Sequence, residues 1–236
     1  SAARRGQELR RALAERPCLP VARTLERWGL LDALCPGWRL AQRAARVLAR
    51  LDGDDDPPGG RGPVALVALA EGWLAGEPHV AALQCRQLDE RLALTAEERQ
   101  ALERVAQARR AARCLRQGAR LLPSTVDCCL RVLPPAALGW VAQAAGGPGS
   151  AGYRWVTWYL AEGRRIRPSL TGEDLARLGV PQGPLMGELL EALRRRVLDG
   201  RIRSRAEEEA WVRRRLARRA GRPGRREGGH GASGPC

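Results

Sequence analysis

Apolar residues recur at three- and four-residue intervals along nearly the whole chain. No segment alternates apolar and polar positions for long enough to make a half-buried strand. That single pattern restricts the chain to an all-α fold, a multi-helix array of short helical hairpins. Its 236 residues suit one large or two small domains, and 44% hydrophobic content is enough to build a core.

The spacing predicts helices near 4–15, 20–34 and 38–51. Residues 52–63, DGDDDPPGGRGP, read as a solvated acidic Gly/Pro loop. Helices then follow near 64–75 and 77–92. Thr95 and Glu98 form a capping-box pair that opens a long helix to about 122. Ser124 with Asp127 repeats that logic for a short helix, and Pro135 suits the first turn of the next. Residues 146–149 are a Gly/Pro break, followed by a Trp-rich helix over 151–162. Thr171 with Asp174 caps another short helix that Gly179 can end in the left-handed conformation. Pro184 opens the next helix, and Ser204 with Glu207 caps the last. Residues 221–236 read as a disordered basic tail.

Charge sets the class of partner. The net charge is +15, and every one of the 41 Lys-or-Arg positions is Arg. Without Lys there can be no Gly-Lys phosphate loop and no Schiff-base lysine. Residues 1–50 hold eleven Arg against four acids, and residues 201–236 again eleven against four. The middle of the chain is nearly balanced, so the excess sits at the two ends, the pattern of a polyanion binder. Two stripes stand out. Arg39, Arg43, Arg46 and Arg50 recur at helical spacing, with no acid among them. Arg109, Arg113, Arg116 and Arg120 repeat that spacing. Such edges can follow a phosphate backbone; the alternative is a solvated face.

Seven cysteines, an odd number with no C-x-x-C, argue against a disulfide framework and predict reduced thiols in a cytoplasmic protein. The longest apolar stretch, Pro63 to Leu74, is interrupted by Glu71 and is too short to span a bilayer. No active site assembles from the sequence. Gly147 to Gly152 fits G-x-G-x-x-G but follows a helix rather than a strand, so it reads as a connector. Asp52, Asp54, Asp55 and Asp56 lack a rigid element to hold Mg²⁺. His79 with Cys85, and Cys128 with Cys129, lack ligand or nucleophile spacing.

The most informative segment is LTGEDLARLGVPQGPLMGELL, Leu170 to Leu190. It reads as helix, tight turn, helix, with Gly179 allowing the turn and Gly183 leaving amides exposed at the next helix N-terminus, a place for an anion. Arg164, Arg165 and Arg167 add charge upstream.

At these residues the sequence resembles the bacterial tRNA nucleotidyltransferase and poly(A) polymerase family. The match runs through Thr171-Gly172-Glu173-Asp174-Leu175, Leu178 to Pro184, Gly187 to Leu190 and Leu198-Asp199-Gly200, and Arg201 to Arg213 suits the closing helix. Arg4, Glu8 and Leu9, and LERWGLLDALCPGW from Leu25 to Trp38, resemble the end of that family's neck and the start of its body. The resemblance implies neck and first body helices over 1–51, a helical body over 64–145 and a helical tail over 150–220, gripping tRNA. It implies that Arg4 and Glu8 support the nucleotide site. The catalytic head, with Mg²⁺ and CTP or ATP, would lie on a longer chain, and no cofactor would be held by these residues. The competing expectation is a stand-alone helical interaction module, with Trp155, Trp158 and Tyr159 marking a protein interface.

Overall fold

The computed structural model describes residues 1–74 and 76–220. Among them are fourteen α-helices, two short 3-10 segments and no strand, so the fold is all-α. The helices are α1 (Ala2–Ala14), α2 (Cys18–Arg27), α3 (Leu30–Leu34), α4 (Gln42–Asp52), α5 (Arg61–Glu71), α6 (Pro78–Leu92) and α7 (Ala96–Glu103). They continue with α8 (Val105–Leu115), α9 (Pro123–Leu130), α10 (Pro135–Ala144), α11 (Ala151–Ala161), α12 (Gly172–Arg177), α13 (Pro184–Leu198) and α14 (Arg205–Ala220). The chain divides into two units, Ser1–Arg165 and a second that begins at Ile166. The expected tail, 221–236, lies outside the described residues.

The first unit is organised by two helices with no polar face. In α5 every residue from Val64 to Glu71 is buried, and in α10 every residue from Ala136 to Ala144. A helix that is apolar all round must be covered on all sides. These two pack against each other, with α1, α4, α7 and α8 around them. Gly139 permits the close approach: a Cβ there would stand 2.5 Å from Val64 Cγ2 of α5 and 1.8 Å from the carbonyl oxygen of Pro58 in the loop before it.

Several expected helices are divided. The 20–34 helix breaks where Gly29 takes the left-handed conformation (φ +70°), giving α2 and α3. The helix expected from 38 begins only at Gln42. The Trp38 indole donates to the Leu69 carbonyl and the Leu40 amide to Glu26 Oε1, contacts that hold this stretch off the helical path. The 95–122 helix is interrupted at Arg104 and ends at Leu115, with a 3-10 segment (Gly118–Arg120) beyond. The capping box at Thr95 and Glu98 is present in both directions. The Ser124–Asp127 box is not formed: Pro123 takes the first helical position and Leu122 the N-cap.

The acidic loop is not a solvated connector. Asp52 closes α4 and accepts from the Cys18 and Leu19 amides, capping α2 from a distance. Asp54 is 5% exposed and accepts from Gln143 Nε2 and the Tyr153 hydroxyl. Burial, followed by the hydrogen bond and charge of Asp54, pushes the Tyr153 phenol up to about 12, so it stays a donor. The G-x-G-x-x-G connector caps α10, with the Gly147 amide donating to the Ala142 carbonyl.

The second unit gathers α12, α13 and α14 around Leu170, Leu175, Val180, Leu189, Leu193, Ile202 and Val212. Buried Glu208 accepts from the Ser169 and Leu170 amides, tying the entry strand of chain to α14. Thr171 and Asp174 form the expected capping box, and Gly179 (φ +85°) ends α12 while the Val180 amide returns to the Leu175 carbonyl. Asp174 also meets Arg205 of α14 at 2.7 Å. The Arg205 hydrogen bond and the Thr171 cap hold the Asp174 carboxyl far below the usual carboxylate range. Its folded pKa lies under its unfolded one, so the stability it contributes is present at neutral pH and lost as pH falls below about 4. Asp174→Asn is expected to flatten the acid limb of amide-exchange protection at Val180 and Leu193 between pH 5 and 3, while leaving Leu69 unaffected.

Candidate nucleic-acid interface

Helical spacing aims Arg43, Arg46 and Arg50 from one side of α4, and Arg109, Arg113 and Arg116 from α8 and its C-cap. The two stripes, read separately in the sequence, converge. All six arginines line one groove of about 520 Å³ in the first unit. Val47, Ala112 and Trp140 contribute its apolar part.

One carboxylate organises this charge. Glu71, at the C-terminal end of α5, is fully buried. Its Oε1 accepts from Arg109 Nε at 2.6 Å and lies 3.1 Å from Arg43. Arg109 also donates to the Glu71 and Leu74 carbonyls. Glu71 therefore links α4 to α8 through α5. Arg50 and Arg116 donate to the Gln143 and Ala144 carbonyls in the last turn of α10, the Gln143 carbonyl also accepting from the Gly146 amide. Arg46 and Arg113 are exposed and bond no described residue. Thus four guanidiniums are anchored and two are uncommitted. Buried Glu71 Oε2 and the Trp140 indole N–H have no hydrogen-bond partner among the described residues.

The outer members of each stripe do not join them. Arg39 precedes α4 and pairs with Asp32 at 3.5 Å, and Arg120 sits in the 3-10 segment. Arg164 and Arg165 are exposed on the second 3-10 segment, Gly163–Arg165. In the second unit, Arg167 borders a hollow of about 370 Å³ with Thr171, Gly172 and Arg194. Gly179 and exposed Gly183 frame the bend before α13, which begins without a side-chain cap. At the chain start, Arg4 and Glu8 lie one turn apart on α1, beside a hollow of about 680 Å³ whose apolar part includes Leu9, Leu25, Leu30 and Leu34.

Sequence reasoning took Glu71 only as an interruption of an apolar run. The interruption was the available signal, because a carboxylate surrounded by core residues needs a cation. The acidic loop does not fit Mg²⁺: Asp52 and Asp54 are taken up by amide, hydroxyl and side-chain donors, and Asp55 by Arg16 at 2.6 Å. On α11, Tyr159 is buried, and Trp155 and Trp158, edge to face with each other, are partly buried against the first unit's core.

No protein-family model matches the sequence, and comparison with curated proteins gives no match. Solved structures do match. The Thermotoga maritima CCA-adding enzyme complexed with tRNA_CCA superposes with a TM-score of 0.68 at 17% identity, over 92% of this chain and 52% of that one. A CCA-adding enzyme with CTP gives 0.66 at 19% identity, over 92% and 51%. An apo CCA-adding enzyme gives 0.68 at 18% identity, over 92% and 50%. The chain thus shares the fold of about half of each CCA-adding enzyme. Among the described residues, no helix is long and apolar enough to cross a membrane.

Glu71→Ala is expected to destabilise the first unit by about 3 kcal/mol, because it leaves Arg109 without its buried counter-charge. Chemical denaturation followed by tryptophan fluorescence measures this.

Proposed function

We propose that the chain is the tRNA-binding neck, body and tail of a tRNA nucleotidyltransferase that adds 3′-terminal nucleotides, acting in the cytoplasm. The observation that carries this reading is the convergence of six arginines on one groove, in a fold shared with CCA-adding enzymes. One of those enzymes is complexed with tRNA. Guanidinium groups binding backbone phosphates release condensed counterions, and the bound RNA is held by charge and shape rather than by base identity. In this reading nucleotidyl transfer, with Mg²⁺ and CTP or ATP, belongs to a catalytic head. Arg4 and Glu8 support that head's nucleotide site, and Arg164, Arg165, Arg167 and the Gly179–Gly183 bend extend the RNA contacts. Against the interaction-module alternative stands the burial of Tyr159 and the partial burial of Trp155 and Trp158 against the core.

Filter binding of tRNA across a salt series tests the proposal. Affinity is expected to fall steeply with salt, and tRNA to outcompete duplex DNA of equal charge. The double variant Arg46→Gln, Arg113→Gln is expected to lower the magnitude of the log–log salt slope by about two, one per lost phosphate contact. The pair Arg39→Gln, Arg120→Gln removes the same charge outside the groove and is expected to change it less. Equal affinity for tRNA and duplex, or an unchanged slope in the groove variant, contradicts the reading.

A further inference from the structure

The groove between α4 and α8 has the dimensions of a pocket. About 520 Å³ lies in the range of small-molecule sites. Among the described residues, no acidic side chain lines it. The carboxylate nearest its charges, Glu71, is already divided between Arg43 and Arg109. Concave walls of one sign of charge focus the field and draw in counter-ions. The two uncommitted guanidiniums reach the groove from different helices, Arg46 from α4 and Arg113 from α8. A ligand that satisfies both must present acceptors to two helices and several negative charges within a short length. One phosphate ion has too few charges for six arginines. An RNA strand separates its charges by a ribose each.

The geometry points to a phosphoanhydride-linked chain of phosphates as a ligand of this groove. The chain is inorganic polyphosphate or the triphosphate tail of a nucleotide. Arg46 and Arg113 hold it from the two helices with charge-assisted hydrogen bonds. Arg50 and Arg116 face it with the donors they do not spend on α10. This site shares its arginines with the tRNA reading but does not depend on it. Where the groove also takes RNA backbone, polyphosphate and tRNA exclude each other.

Isothermal titration of the full chain at fixed ionic strength, with sodium tripolyphosphate, ATP and inorganic phosphate, tests this. Tripolyphosphate is expected to bind at one site, at least about a hundredfold more tightly than inorganic phosphate. Arg46→Gln with Arg113→Gln is expected to weaken it about a hundredfold, near tenfold for each arginine. Both positions are exposed, so the melting temperature should be retained, and the two single variants serve if it is not. The Arg39→Gln, Arg120→Gln pair is expected to leave the affinity unchanged. ATP binding as tightly as tripolyphosphate identifies a nucleotide tail as sufficient, and weaker ATP binding identifies the inorganic chain. Tripolyphosphate binding no tighter than inorganic phosphate overturns the proposal, as does equal weakening by both double variants. Retained tRNA binding in that case leaves the tRNA reading standing. Tripolyphosphate binding without tRNA binding sinks the tRNA reading alone.

Discussion

A single buried carboxylate sets the geometry of the basic groove. Glu71 ends a helix that is otherwise apolar on every side, and it meets Arg43 and Arg109 from two neighbouring helices. A lone carboxylate at that depth would be costly, so its burial requires the cations to come to it. Once Arg43 and Arg109 are fixed, helical spacing determines the rest. Arg46 and Arg50 follow along α4, while Arg113 and Arg116 follow along α8, because residues three and four apart share a face. The core thus aligns a surface feature. This explains how arginines with no acid between them in sequence can be crowded: part of the repulsion is relieved from beneath, by a residue distant in the chain.

The end of α10 provides the second anchor. Its last carbonyls lack the amide four residues on, and Arg50 and Arg116 supply donors to two of them. Positive charge at a helix C-terminus is favoured by the dipole as well. The groove is therefore bounded by the C-terminal ends of two buried helices, α5 and α10, each closed by arginine. The mouth residues Arg46 and Arg113 are the ones that no such anchor holds. They carry the groove's uncompensated charge, which makes them the positions where substitution separates binding from folding.

Much of the architecture was legible locally. The all-α class followed from periodicity. The Thr95 and Thr171 capping boxes, the Gly179 turn and the Pro184 start are short-range chemistry, which one sequence window contains. The two arginine stripes were visible, but not that they line one groove, since nothing local encodes that α4 and α8 both pack on α10. Nor were their limits visible. Arg39 falls off the helix because the Trp38 indole seeks the Leu69 carbonyl, a contact thirty-one residues away in sequence. The acidic loop misled for the same reason. Composition made it a solvated connector, whereas Asp52 and Asp54 are drawn inward by amides, Gln143 and Tyr153 from other parts of the chain.

The exclusive use of arginine has a physical consequence for the groove. A guanidinium carries five N–H donors in a fixed plane, and an ammonium carries three on a compact, strongly hydrated centre. Arg109 reaches a carboxylate oxygen and two backbone carbonyls at once. Arg50 and Arg116 each satisfy a helix-end carbonyl and still border the groove with donors to spare. A lysine at these positions would have to choose between closing a helix and facing a ligand. Its stronger hydration would also oppose the partly buried anchors around Glu71. Whatever placed arginine at these positions, the groove as built depends on it: the same side chains that hold the helices together carry the charge that a phosphate would meet.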